Sequence, residues 1–189
     1  MQRLAVYCGS SAGGDPAFAE TAKILGQIMV ERGIDLVFGG GRLGLMGIIA
    51  DSVLAGGGKV YGVIPEMLRD HEVAHTGLTE LHIVTSMHER KAKMTELTDG
   101  FIAIPGGIGT LDELFEAWTW KALGYHGKPI GLLNVNGYWD SLTTFLDNVA
   151  GQGFMSAARR EQLILSDDIN DILDQLTAAY TGFDGEVTW

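Results

Sequence analysis

Asp35-Leu36-Val37-Phe38-Gly39-Gly40-Gly41-Arg42-Leu43-Gly44-Leu45-Met46-Gly47 runs from a short apolar strand, through a glycine-rich turn, directly into a helix. Glycines let the chain adopt positive φ and approach another group closely, while a helix start presents unpaired N–H groups and a partial positive charge. The unit reads as a phosphate cradle or as a tight strand-to-helix turn with close packing. Gly39, Gly41 and Gly44 also satisfy the G-x-G-x-x-G string of dinucleotide sites, but the loop follows the second strand, and Glu66, about 20 residues on, stands behind Pro65 in a loop.

Outward from this stretch the pattern repeats. Apolar runs at Leu4–Cys8, Asp35–Phe38, Lys59–Ile64, Leu81–Val84, Gly100–Ile104, Ile130–Leu133 and Leu163–Leu165 read as strands. Helical patterns lie between or after them at Pro16–Arg32, Leu45–Ala55, Met87–Thr98, Leu111–Leu123, Tyr138–Gln152 and Asp168–Ala178. Such alternation marks βα units around a mostly parallel sheet. The expected fold is α/β: a doubly wound, Rossmann-like parallel sheet with helices on both faces. A length of 189 residues with 46% hydrophobic content suits one domain over 1–189. Pro65–Glu80, with His71 and His75, is the longest stretch without periodicity and is expected to form a lid or interface loop.

With 13 basic and 24 acidic residues, the net charge of −11 argues against nucleic-acid polymers and anionic membranes as partners. A small phosphorylated ligand remains compatible, because backbone amides bind phosphate without net positive charge. Cys8, the single cysteine, has no partner for an internal disulfide. The Leu4–Cys8 run is too short for a signal core or a membrane span, so a cytoplasmic location is expected. His71, His75, His82, His88 and His126 show no metal-ligand spacing, and neither a metal nor another cofactor is expected.

A second glycine loop, Pro105-Gly106-Gly107-Ile108-Gly109-Thr110, follows the strand Gly100–Ile104 and leads into Leu111-Asp112-Glu113. Thr110 adds a hydroxyl able to donate to phosphate. Two cradles suggest a nucleotide, and neither ends in the Gly-Lys-Ser/Thr of a loop built for a β,γ-phosphate with magnesium, so a monophosphate is the better fit. Thr110-x-x-Glu113 also reads as a capping box, which would give Glu113 a purely structural task. Ser86-Met87-His88-Glu89 forms another capping box and starts a helix whose apolar side carries Arg90 and Lys91. These two either snorkel to water or face a ligand. Ser10 and Ser11, after the first strand, lie in a ligand loop or an ordinary turn. Phe115, Trp118, Trp120 and Tyr125 are expected to pack the core or a subunit interface.

Gly39–Gly47, Met87-His88-Glu89-Arg90-Lys91 and Pro105-Gly106-Gly107-Ile108-Gly109-Thr110-Leu111-Asp112-Glu113 stand in that order, and together they resemble the lonely-guy family over about four fifths of the chain. Members of that family are cytokinin riboside 5′-monophosphate phosphoribohydrolases. The resemblance implies that Arg90 and Glu113 are catalytic and that Gly106, Gly107, Gly109 and Thr110 hold the substrate phosphate. Met87 and Lys91 would join the nucleotide contacts, and Gly40, Gly41 and Ser10 are further candidate contacts. It also implies a homodimer or an assembly of dimers. Homologues have carried a lysine decarboxylase label, yet no pyridoxal phosphate site is assignable in the sequence. The expected activity is hydrolysis of the N-glycosidic bond of an N6-modified adenosine 5′-monophosphate. Rival readings are a non-catalytic nucleotide or cofactor carrier and a nicotinamide-dependent oxidoreductase.

Overall fold

Side chains alternate between the two faces of a strand, and in the inner strands both faces are apolar and packed under helices. The computed structural model describes residues 1–69 and 73–182, so His71 lies outside the described residues. Its elements are β1 (Arg3–Tyr7), α1 (Pro16–Glu31), β2 (Asp35–Phe38), α2 (Gly44–Ala55), β3 (Val60–Pro65), β4 (Glu80–Val84), α3 (Met87–Leu97), β5 (Gly100–Ala103), α4 (Ile108–Leu123), β6 (Ile130–Leu133), α5 (Asp140–Gly151), α6 (Ala157–Arg160), β7 (Leu163–Ser166) and α7 (Ile169–Ala179). All seven strands join one parallel sheet in the order β4-β3-β2-β1-β5-β6-β7. The doubly wound α/β expectation therefore holds.

The alternation divides the interior into two cores. Leu4 and Val6 of β1 join Leu25 and Met29 of α1, Ile49 of α2 and Ile172 of α7 on one face. Ala5 and Tyr7 join Met94 of α3, Leu114 and Trp118 of α4 and Leu146 of α5 on the other. Trp118 thus belongs to the core, its ring stacked on Phe115 at 6.1 Å. Helix starts follow ordinary capping chemistry where a side chain is at hand. Asp15 accepts from the Ala17 amide at 2.9 Å, with Pro16 in the first turn, and Asp168 accepts from the Asp171 amide at 2.8 Å.

Element boundaries move in three informative places. α4 begins at Ile108 rather than Leu111; α5 begins at Asp140 rather than Tyr138, after a short 3-10 turn at Val135–Gly137; and the one-turn α6 had no sequence signal. Pro65–Glu80 is not free of structure. It opens with a 3-10 turn at Glu66–Leu68 and is fastened to the first glycine loop by Arg42 N–H to Val73 O (3.0 Å) and His75 N–H to Gly40 O (2.9 Å). Among the described residues no helix is long and apolar enough to cross a membrane.

A buried histidine gives this fold a pH signature. His126 Nε2 donates to Ala117 O at 3.0 Å while its Nδ1 accepts the Lys128 amide at 3.2 Å, so both ring nitrogens are satisfied only in the neutral form. Burial, followed by the charge of Lys128, pulls its pKa down to about 4 from 6.5. Between those values the unfolded ring binds a proton that the folded ring refuses, so stability is complete above pH 6.5 and falls as pH drops toward 4. The shift corresponds to about 3 kcal/mol. Urea unfolding across this window is expected to show the loss, and His126→Gln is expected to flatten it; a mutant–wild-type difference constant with pH would remove His126 as its source.

Candidate active site

The strand order reverses between β1 and β5, and in open α/β sheets ligands bind in the crevice beyond the carboxyl ends of strands at that reversal. The loops after β1 and β5 are joined there by the Gly9 amide donating to Pro105 O at 3.1 Å. A Cβ on Gly106 would fall inside the Thr110 hydroxyl and 2.8 Å from the Gly9 amide nitrogen, so only glycine allows this approach. Above the junction opens a cavity of about 310 Å³, reached by β1, α2, α3 and α4.

Arg90 and Glu113 meet in this cavity. α3 starts where the sequence indicates: the Ser86 hydroxyl accepts the Glu89 amide at 3.1 Å, and the Glu89 carboxylate reaches back to the amide and hydroxyl of Thr85, both at 2.7 Å. At the fourth residue of the helix, the Arg90 guanidinium turns inward, only 4% exposed. Its Nη2 donates to Gly39 O at 2.9 Å, its Nη1 lies 3.8 Å from Met87 Sδ, and its Nε stands 4.0 Å from Glu113 Oε1. A Cβ on Gly39 would occupy the place of Nη2, so the glycine is what seats the arginine. The Glu113 side chain is 12% exposed. Burying a cation and an anion costs several kcal/mol in desolvation and is weak as a source of stability, which marks the pair as a candidate for function.

The carboxylate also reaches its neighbours. Burial first, and the Glu113 charge second, push the Cys8 thiol pKa far up, so Cys8 remains protonated and a poor nucleophile. Tyr7 is raised well above the usual phenol value by burial, with Glu113 and Glu116 adding to the effect and Arg90 opposing it.

The early start of α4 corrects the capping-box reading. Gly107 is its N-cap and offers no side-chain bond, no acidic residue stands in the first turn, and the first intrahelical amide to pair is that of Leu111, with Gly107 O at 3.1 Å. Thr110 is therefore inside the helix and buried, and Glu113 is too far along to reach back to the helix start. The amides of Ile108, Gly109 and Thr110 form the positive end of a 16-residue helix whose mouth is the cavity.

Of the candidate residues, Ser10, Met87, Arg90, Gly107, Gly109, Thr110 and Glu113 line this cavity. Gly106 lies just behind it, lining an adjoining cleft of about 260 Å³ with Gly107 and Ser10. Three do not come to it. Lys91, one residue past Arg90 and so about 100° around the helix, places its ammonium 2.6 Å from Glu116 and 3.1 Å from Asp112, tying α3 to α4. Gly40, at φ +80°, packs against Ile64 and Val63, and Gly41 bridges to Ala74. The first glycine loop is thus mainly a packing device: it seats Arg90, covers its own backbone with residues 73–75, and at Gly44 (φ +59°) leaves no room for a Cβ beside Ser10 and Ser11. That arrangement also removes the support for a dinucleotide fingerprint. β3 does run through Pro65 and brings Glu66 to its end, but the loop lies one strand away from the reversal point.

Other lining residues carried no clear sequence signal. Cys8 and Gly9 border the cavity beside Ser10, Met46 and Leu68 give it an apolar side, and Ile108 stands 84% exposed at its mouth. Tyr138 lines the adjoining cleft.

A doubly wound parallel sheet with an uncapped helix start and a buried guanidinium–carboxylate pair at its reversal point defines a Rossmann-like α/β protein with a candidate site at that reversal. A family model described as possible lysine decarboxylase matches residues 46–176, and a cytokinin riboside 5′-monophosphate phosphoribohydrolase of Arabidopsis thaliana is 46% identical over 188 residues, spanning 100% of this chain and 86% of the relative. The chain belongs to this family, the lonely-guy family. A probable enzyme of the same name from Oryza sativa subsp. japonica is 45% identical over 190 residues, spanning 99% of this chain and 85% of the relative. Among solved structures, the molybdenum cofactor binding protein of Rippkaea orientalis superposes with a TM-score of 0.72 at 20% identity, over 95% of this chain and 97% of that one. A molybdenum cofactor carrier protein of Chlamydomonas reinhardtii gives 0.70 at 20%, over 93% and 97%. At such identities these two establish the shared fold alone.

The family model's description would call for a lysine able to form a Schiff base with pyridoxal phosphate. Among the described residues no lysine lines the cavity, and Lys91, on the helix that carries Arg90, is engaged by Asp112 and Glu116. The residues present do not fit that cofactor.

Proposed function

We propose that this protein hydrolyses the N-glycosidic bond of an N6-modified adenosine 5′-monophosphate, releasing the free base and ribose 5-phosphate. The observation that carries the reading is the buried Arg90–Glu113 pair, 4.0 Å apart, beside the uncapped amides of α4. The names of the plant relatives agree with it.

Cleavage of a ribosyl C–N bond builds positive charge on the sugar and negative charge on the departing purine. With the 5′-phosphate on the amides of Ile108, Gly109 and Thr110, the ribose lies near Glu113, whose carboxylate binds its hydroxyls, stabilises an oxocarbenium-like transition state and orients the attacking water. A guanidinium is a poor proton donor, so Arg90 acts as a positive charge and hydrogen-bond donor rather than as a general acid. Met46, Leu68 and Met87 provide the apolar side for a base and its substituent. Phosphate binding is remote from the reacting bond and fixes the sugar for attack.

Incubation of the purified protein with N6-isopentenyl-AMP and with AMP, followed by chromatography, is expected to show free base and ribose 5-phosphate. Folded protein that binds either nucleotide and releases no base would favour the carrier reading. A carrier has no need of a buried ion pair at the sugar.

Gly109→Ala tests the phosphate seat. Its Cβ would meet nothing within 4 Å, so the fold accepts it, and an alanine in a helix raises stability slightly. The methyl enters space beside the amides, and KM for the nucleotide is expected to rise on the order of tenfold or more, with Tm equal or higher. An unchanged KM would move the phosphate elsewhere. The reading further takes the protein to be cytosolic and a homodimer or an assembly of dimers; what supports self-association is an apolar groove of about 280 Å³ between α4 and α5 that includes the 87% exposed Phe154 and the 66% exposed Leu123.

A further inference from the structure

We propose that Tyr138 is a positioning residue for the phosphate seat: its hydroxyl latches the Gly106–Gly107 peptide so that the Gly107 amide, not the Gly106 carbonyl, is offered to the anion. This inference rests on the phosphate placement proposed above.

The Tyr138 hydroxyl donates to Gly106 O at 2.5 Å. A trans peptide is planar, with its carbonyl and its N–H pointing in opposite directions. Holding the carbonyl on Tyr138, in the adjoining cleft, therefore directs the Gly107 N–H away from the tyrosine, next to the amides of Ile108, Gly109 and Thr110. Gly106 is wedged against Thr110 and the Gly9 amide, but a Cβ position on Gly107 meets nothing within 4 Å, so on that side no packing holds the peptide. Rotated, it would set a carbonyl dipole against the phosphate at the place where the helix supplies positive potential.

The latch is itself rigidly mounted. Asn134 accepts the Trp139 amide at 2.8 Å and donates to Asp140 at 2.8 Å. Asn136, at φ +50°, donates to Asp15 at 2.9 Å, the residue that caps α1. The Tyr138 ring meets Phe18 edge-on at 5.5 Å and Trp139 at 4.8 Å. The turn after β6 is thereby fixed to α1, across the reversal point, and its tyrosine is delivered to the loop after β5.

Tyr138→Phe keeps the ring contacts and removes only the hydroxyl. Calorimetric titration of wild type and variant with AMP and with adenosine, together with steady-state kinetics, tests the assignment. The expected result is a Kd for AMP raised about tenfold with the Kd for adenosine unchanged, and a matching rise in KM at constant kcat. Equal shifts for AMP and adenosine, no shift for AMP, or a fall confined to kcat would each overturn it. Because the comparison is one of binding, wild-type protein that binds AMP without hydrolysing it would refute the hydrolase reading while the Tyr138 assignment is still decided by the AMP-to-adenosine ratio.

Discussion

Glu113→Gln is expected to lower kcat on an adenosine 5′-monophosphate substrate by about 10³-fold or more, because the substitution keeps the shape of the side chain and removes the charge that faces the forming oxocarbenium. KM should change little, since the phosphate seat at the start of α4 is untouched. Some stability is lost as well: Arg90, 4% exposed, loses the carboxylate charge 4.0 Å from its Nε, and weakening a buried pair is costly. The Gly39 carbonyl still accepts from its guanidinium, so the variant is expected to fold, at a lower Tm. Removing the carboxylate also withdraws one of the causes that hold the Tyr7 and Cys8 pKa values up, so both should titrate at lower pH than in wild type. A folded Glu113→Gln protein with near-normal kcat would exclude the carboxylate from the chemistry.

The fold was legible because the period-2 and period-3.6 patterns agree with the tertiary structure nearly everywhere. β1 sends alternate residues into two different cores, and both sets are apolar, so a short hydrophobic run flanked by amphipathic helices could hardly be anything else. The start of α4 was not legible, for a specific reason. Capping rules assume that a helix start is satisfied by its own side chains, and Thr110 and Glu113 have the right spacing; the start is at Gly107 instead, where no side chain fills the role. A strand-to-helix glycine loop without an N-cap residue is the signal that would have located it.

Arg90 and Glu113 were found through a recognisable string, and the structure brings them within ion-pair distance across two helices. Lys91 was placed by its spacing from Met87 and Met94 and by the resemblance; in the structure Asp112 and Glu116 hold its ammonium. The part Gly39 plays in seating Arg90, and Tyr138 altogether, were missed because these relations are purely tertiary: Gly39 and Arg90 are 51 residues apart, and Gly106 and Tyr138 are 32 apart. The turn chemistry around Asn134 to Gly137 was readable in outline, but its target was not.

Gly39→Ala separates the seat of the arginine from the arginine itself. A Cβ there would take the position of Arg90 Nη2 and stand 3.1 Å from Cζ; the next neighbour is Met46 Sδ at 3.4 Å. The displaced atoms are the far ends of flexible side chains, and Gly39 does not need positive φ, so the backbone is expected to survive. Gly44→Ala is different, because φ +59° and the Ser10–Ser11 backbone leave it no way to relax, and it should fold poorly. In Gly39→Ala the guanidinium must leave its carbonyl and turn away from Glu113, which is expected to reduce kcat by about 10²-fold with a modest fall in Tm. Arg90→Ala should reach a similar or larger loss. If the glycine acts only through the arginine, the double variant Gly39→Ala/Arg90→Ala should be no slower than Arg90→Ala alone, since two changes that remove one interaction do not add. A double variant slower than Arg90→Ala by the full factor of Gly39→Ala would show instead that the glycine contributes directly, through the shape of the cavity, and that the buried guanidinium is not the reason position 39 has no side chain.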